Sequence, residues 1–175
     1  MIILDIETSG LDPFKHSLLS IGAVDYNSGE EFYGECAAAW PREVDDFALG
    51  VNGFTAAQVR DNTKITDAEL YIDFCGWVKT GRATERDCLV GGQQVGAFDL
   101  KFLQEIHNRI GGVLAGKWPF GYRSVDLHSV AYAKFGASLS LDDILRRVGL
   151  DPEPKPHNAL TGAKLERDAF KKLLT

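Results

Sequence analysis

Residues 1–13 read MIILDIETSGLDP. Ile2–Ile6 is a short apolar run of the kind that forms a buried strand. Thr8, Ser9 and Gly10, then Asp12 and Pro13, supply the turn that ends it. Alternate side chains of a strand share a face, so Asp5 and Glu7 project together from its end. Two adjoining carboxylates are costly to bury unless a cation neutralises them. Mg²⁺ and Mn²⁺ suit oxygen ligands of this sort. Taken alone, the Asp-x-Glu pair also reads as two solvated acids at a strand end.

Outward from this strand the pattern continues as a meander. Leu18–Val24 predicts a second strand, the turn residues Asn27, Ser28 and Gly29 follow, and Glu30–Cys36 predicts a third. Residues 41–62 read as loop with short helix. Helical spacing of Ala68, Tyr71, Ile72, Cys75 and Val78 predicts a helix over Asp67–Lys79. Cys88–Val90 predicts a fourth strand, Asp99–Ile110 a helix, Arg123–Val125 a fifth strand and Leu127–Phe135 another helix. Ser140 to Asp143 resembles a capping box opening a helix that stops at Gly149. The Pro-rich loop Asp151–Pro156 precedes a last helix over Asn158–Leu174. Three meander strands followed by strands alternating with helices predict a mixed α/β sheet.

The chain has 175 residues, 45% hydrophobic and 25% charged, the make-up of one globular domain spanning 1–175. No apolar run reaches the length of a membrane span, and the N-terminus lacks the basic region and cleavage site of a secretory signal, so a cytoplasmic protein with no membrane partner is expected. Cys36, Cys75 and Cys88 form no metal-binding or redox pair and read as buried or idle thiols of a reducing compartment. The net charge of −6 argues against a protein that coats nucleic acid through a basic surface. It does not oppose an enzyme whose clustered carboxylates hold cations that in turn meet phosphate.

Two further residues stand at positions suited to chemistry. Asp99 ends the stretch Val95–Asp99, after a strand and at a helix start, where α/β folds place ligands and the helix N-terminus favours an acid. It is equally read as a plain N-cap. His157 follows Pro152, Pro154 and Pro156, which stiffen the loop presenting its ring. Histidine is the side chain that titrates near neutral pH, so it is the natural candidate for a general base. A surface or capping role is the alternative. His16, His107 and His128 have no comparable surroundings.

Taken in order, DIETSGLDP, FDLKFL and His157-x-Ala159-Leu160-x-x-Ala163 resemble the DEDD exonucleases of the DnaQ-like type, in which a histidine stands in the last motif. The resemblance covers almost the whole chain. Leu19–Ala23 is similar to the family's second strand, Leu49–Thr55 to the segment after its third, and Ser140–Asp143 to its penultimate helix. It implies a ribonuclease-H-like fold: a five-stranded mixed sheet, three strands as an antiparallel meander and two parallel, flanked by helices. It also implies 3′–5′ exonuclease activity on single-stranded DNA or RNA, releasing nucleoside 5′-monophosphates with two Mg²⁺ or Mn²⁺ ions. Asp5, Glu7 and Asp99 match the metal ligands, and His157 matches the base. Thr8, Ser9, Gly10 and Leu11 resemble the turn that receives the terminal nucleotide, and Phe98 stands near the sugar or base. A polymerase partner and a homodimer are both left open.

Two departures qualify the resemblance. Gly92, Gln93 and Gln94 stand where the family often has a His-Asn pair, which puts nucleotide selectivity in doubt. Gly162 stands where the family has its fourth metal-binding acid. It is either an introduced change or a native weakening, and a nucleic-acid-binding module on the same fold is the alternative function. With Gly162, only Asp5 and Glu7 are expected to hold the first ion. Glu166, one helical turn beyond Gly162 and about 40° around the helix, leans back toward the gap. It either replaces the missing ligand in part or is a solvated residue paired with Lys164 or Arg167.

Overall fold

A computed structural model of the chain describes residues 1–80 and 88–174. A five-stranded sheet has the order β3-β2-β1-β4-β5, with β1 at Ile2–Thr8, β2 at Leu18–Asp25, β3 at Glu31–Glu35, β4 at Cys88–Gly92 and β5 at Phe120–Asp126. The first three strands are an antiparallel meander, and β4 and β5 continue it parallel to β1. This is the mixed sheet the sequence predicts. Four of its strands run further than expected, because pairing with neighbours extends the ladder past the apolar residues, whereas β3 is one residue shorter at each end than the predicted Glu30–Cys36. Thus β1 takes in Glu7 and Thr8 beyond the predicted Ile6, and β5 begins at Phe120 rather than Arg123.

Helices cover both faces. They are α1 (Asp46–Asn52), α2 (Ala56–Val59), α3 (Asp67–Lys79), α4 (Asp99–Ala115), α5 (Leu127–Phe135), α6 (Leu141–Arg147) and α7 (Ala159–Leu173). The helix expected to stop at Ile110 continues as α4 across a non-helical Gly111. The one expected to reach Gly149 ends at Arg147, and Gly149 follows in the left-handed region at φ 76°. Side-chain caps start the last three helices: Asp126 for α5, Ser140 for α6 and Asn158 for α7. None of the helices among the described residues is long and apolar enough to cross a membrane. Cys36, Cys75 and Cys88 are buried, as expected.

The period of two in β1 divides the core. Ile2, Leu4 and Ile6 pack with Leu70 and Phe74 of α3 and with Phe102 and Leu103 of α4. Ile3 packs on the other face with Leu127 of α5, Ile144 of α6, and Ala163 and Phe170 of α7. Asp5 and Glu7 share the parity of Ile3 and so turn toward α7. All eight residues of β2 are buried, as a strand covered on both faces requires.

Gly22 of β2 is the register partner of Asp5. A Cβ there would stand 2.0 Å from the carbonyl carbon of Ala159 and 2.1 Å from the Leu160 nitrogen. The first turn of α7 therefore lies directly on the sheet, with no side chain between. That close approach brings residue 162 over Asp5.

Candidate active site

A cavity of about 470 Å³ opens where β1 and β4 end, and Asp5, Glu7, Asp99 and His157 all line it. Four residues scattered from the first strand to the last loop thus meet at the carboxyl ends of adjacent parallel strands, the usual place for ligands in such sheets.

Asp99 opens α4 and is 3% exposed. Its Oδ1 accepts from the Ile6 N–H at 3.1 Å, which ties the helix start to β1 between the two strand acids. Desolvation drives the Asp99 carboxyl up to about 8, against backbone N–H donors that lower it, and Glu7 and Asp126 push it further. Glu7 also reaches about 8, through desolvation and then Glu153. Desolvation holds Asp5 well above the usual carboxylate range, with Glu166, Asp99, Glu7 and Glu153 adding repulsion. The common cause is burial, to which neighbouring acids add repulsion.

His157 is placed by its backbone and by one acid. Its N–H donates to the Val51 carbonyl at the end of α1, at 3.1 Å. Its Nδ1 lies 3.4 Å from Glu153 Oε2. The same helix end reaches β1: Asn52 Nδ2 donates to the Thr8 carbonyl at 3.0 Å. One short helix therefore fixes both the strand that carries the acids and the loop that carries the histidine.

A Cβ on Gly162 would lie 2.2 Å from Asp5 Oδ2 and 3.4 Å from Glu153 Oε1. Position 162 is therefore at the acids, where the resemblance puts the fourth ligand, and the Asp5 carboxylate has taken up the room. Glu166 is not the solvated residue of the second reading: it is 2% exposed and lines the cavity. The proposed partners are engaged elsewhere, Lys164 with Glu31 at 2.7 Å and Arg167 with Asp168 at 2.9 Å. Glu166 takes a hydrogen bond from the Gln93 N–H, while desolvation and then Asp99 raise its carboxyl.

The turn after β1 is built from its own hydrogen bonds. Thr8 Oγ1 donates to the Gly10 carbonyl at 2.7 Å. Ser9 Oγ donates to the Glu43 carbonyl at 2.7 Å and accepts from the Ser17 N–H at 2.8 Å. A Cβ on Gly10 would collide with the His16 ring, at 2.2 Å. So the hydroxyls of Thr8 and Ser9 hold the turn rather than face the cavity, and Leu11 stands out from it, 79% exposed. Phe98, by contrast, lines the cavity beside the acids, as do Gln93 and Gln94.

Glu153 was not singled out by its sequence. It lies in the Pro-rich loop, where acids are ordinarily solvated, yet it is 8% exposed. Its place four residues before His157 is a faint signal that spacing alone does not separate from a chance pair. Asp126 was missed as well; it caps α5 and adds charge near Asp99.

The donor set fits hard divalent cations. Asp5, Glu7, Asp99, Glu153 and Glu166 line one cavity, and Glu153 Oε1 and Glu166 Oε2 are buried without a hydrogen-bond partner among the described residues. Buried acids of this kind require neutralising, and oxygen-seeking cations such as Mg²⁺ or Mn²⁺ do so.

Fold and site together define a nuclease-type α/β domain with an acidic cleft. The model of the exonuclease family RNase_T matches residues 2–165, and the chain belongs to that family. The DEDD resemblance read from the motifs agrees with it. The chain is 26% identical over 175 residues to a PolC-type DNA polymerase III of Thermotoga maritima and 25% identical over 173 residues to that of Thermotoga petrophila. It spans 97% of its own length but only 11% of theirs. Among solved structures it is similar to E. coli exonuclease I in complex with a 5cy-dT13 oligonucleotide, with TM-score 0.74, 18% identity, and 97% of this chain against 39% of that one. It is also similar to the nuclease domain of 3′hExo, a DEDDh family member bound to rAMP, with TM-score 0.70, 19% identity, and 99% of this chain against 90% of that one. At these identities the likeness establishes a common fold.

Proposed function

We propose that this domain removes nucleotides from the 3′ end of single-stranded DNA or RNA and releases nucleoside 5′-monophosphates, using Mg²⁺ or Mn²⁺. The observation that carries this reading is the meeting of Asp5, Glu7, Asp99 and His157 on one cleft of an exonuclease-family domain. Asp5, Glu7 and Asp99 would hold the cations. When bound, a pair of divalent cations acidifies water and neutralises charge on the phosphate. The chain's own residues do the rest. Glu153 engages Nδ1 of His157, which leaves Nε2 to take the proton of the attacking water. Phe98 offers a face for the terminal sugar or base, and Leu11 an exposed apolar edge. The complexes of the structural neighbours with a 5cy-dT13 oligonucleotide and with rAMP support a strand-end substrate.

A second reading, a nucleic-acid-binding module without cleavage, is favoured by Gly162 alone. A 3′-labelled oligonucleotide incubated with Mn²⁺ decides between them. Release of the label as a mononucleotide is expected, and Glu7→Gln should abolish it. Internal cutting would refute the 3′-end reading. Binding of the oligonucleotide without cleavage, restored to cleavage by Gly162→Asp, would establish the second.

A further inference from the structure

Glu153 has no counterpart in the motifs, yet the fold buries it. A glutamate on a loop is withdrawn from water only where something offsets its desolvation. Its Oε2 has His157 Nδ1 at 3.4 Å, an imidazole side chain 33% exposed, and the Asn158 backbone N–H also donates to the carboxylate. Its Oε1 has no partner among the described residues. That oxygen lies 3.4 Å from the point where a Cβ of residue 162 would stand, at the edge of the volume a side chain there would fill. Glu7 closes the group. Glu7, Glu153 and His157 can each bring one ligand atom to within 4.8 Å of the others. Oxygens that close can share an ion, since metal–oxygen bonds to Mg²⁺ or Ca²⁺ run roughly 2.0–2.6 Å.

The loop is held well enough to place a ligand. The Glu153 N–H donates to Asp142 Oδ1 at 3.1 Å, and the His157 N–H to the Val51 carbonyl at 3.1 Å. Glutamate is also longer than aspartate by one methylene, which suits a carboxylate arriving from a loop rather than from the helix above Asp5. Glu166 approaches from the β4 side and is also the foremost charged neighbour of Asp5. Its Oε2 is 3.1 Å from where a Cβ of Gly92 would stand, beneath the end of β4, and Asp99 is its principal charged neighbour.

We propose that Glu153 supplies the carboxylate that Gly162 lacks. Its Oε1 would join Glu7 as a ligand of the cation on that side of the cleft, and its Oε2 would keep His157 oriented. The proposal rests on the exonuclease reading for the purpose of the cation, but its test does not depend on cleavage. Mn²⁺ binding is measured by calorimetry on the full chain for the parent, Glu153→Gln, Glu153→Asp, Glu166→Gln and the double variant Glu153→Gln/Gly162→Asp. Cation-free melting checks that each folds. Glu153→Gln should weaken Mn²⁺ by at least about 10-fold. Gly162→Asp should restore it in the double variant, and Glu166→Gln should weaken this site less. Glu153→Asp, which keeps the charge but withdraws it, should fall between parent and Glu153→Gln, and supplies the readout if Glu153→Gln does not fold. Parent-like Mn²⁺ binding by Glu153→Gln, a larger loss in Glu166→Gln, or no Mn²⁺ binding by the parent would each overturn the assignment. Oligonucleotide cleavage is assayed on the same samples. A parent that binds Mn²⁺ through Glu153 but cuts nothing would sink the exonuclease reading and leave the ligand standing. A parent that cuts while Glu153→Gln binds Mn²⁺ equally well would do the reverse.

Discussion

Glu7 and Asp99 each hold their proton to about pH 8, where free carboxyls lose it near pH 4. The sign of the consequence follows from proton binding. Between those pH values the folded chain keeps protons that the unfolded chain has shed, so cation-free stability falls as pH rises from about 5 through 8. The acids whose carboxyls are lowered, Glu35, Asp61, Glu69 and Asp143, act at more acidic pH and leave this window alone. Melting curves without cation should shift downward from pH 5 to 8, and Mn²⁺ should reverse the shift. Glu7→Gln removes one repelling charge. At pH 8 without cation it should melt higher by several °C, since about 1 kcal/mol moves a domain of this size by roughly 2–4 °C. A lower melting point for that variant would mean that Glu7 is not repelled in the fold. Gly162→Asp works in the opposite direction. The new side chain must turn Asp5 aside, so cation-free melting should drop, while Mn²⁺ affinity should rise by at least about 10-fold. Calorimetry showing unchanged affinity would remove position 162 from the cation site.

Elements position these residues through two close contacts. α7 rests on β2 at Gly22, where any Cβ would strike backbone. Gly22→Ala should therefore cost at least about 1–3 kcal/mol, the usual range for overpacking, and thermal unfolding reads it directly. A neutral substitution would show that α7 is free to lift. The other contact is α1, which holds the Thr8 carbonyl through Asn52 and the His157 N–H through Val51. Asn52→Ala leaves the buried Thr8 carbonyl without its donor, a loss of roughly 1–3 kcal/mol. How much of this was legible depended on the range of the forces involved. The bounds of α3 follow from the spacing of its apolar face, and Asp5 and Glu7 from the parity of one strand. That position 162 belongs beside Asp5 was read from a motif. The close approach at Gly22 was not legible, because a glycine in an apolar strand gives no sign of which helix lies on it. Glu153 stayed hidden for a similar reason. The surroundings of this loop acid include Glu7, remote in sequence, and position 162 on the next helix, and no local pattern encodes that meeting.

At the scale of the molecule, a chain of net charge −6 presents an acidic cleft to a polyanion. Without cations, phosphate and cleft repel. Fluorescence anisotropy with a labelled single-stranded oligonucleotide should show binding at least about 10-fold tighter in Ca²⁺ than in EDTA, because a hard cation bridges carboxylate and phosphate oxygens. Equal affinity in both would place the nucleic acid elsewhere on the surface. The seating of α7 on β2 also sets a schedule. Asp5 and Glu7 belong to β1, whereas Glu153, His157 and the helix that covers them come later in chain order. At roughly 5–20 residues per second, a nascent chain carries the first acids for on the order of ten seconds before their counterparts are synthesised. Until α7 docks, that face of the meander is bare and the cleft has only one wall. A chain made only as far as the meander thus carries the first acids of the cleft without the residues that face them.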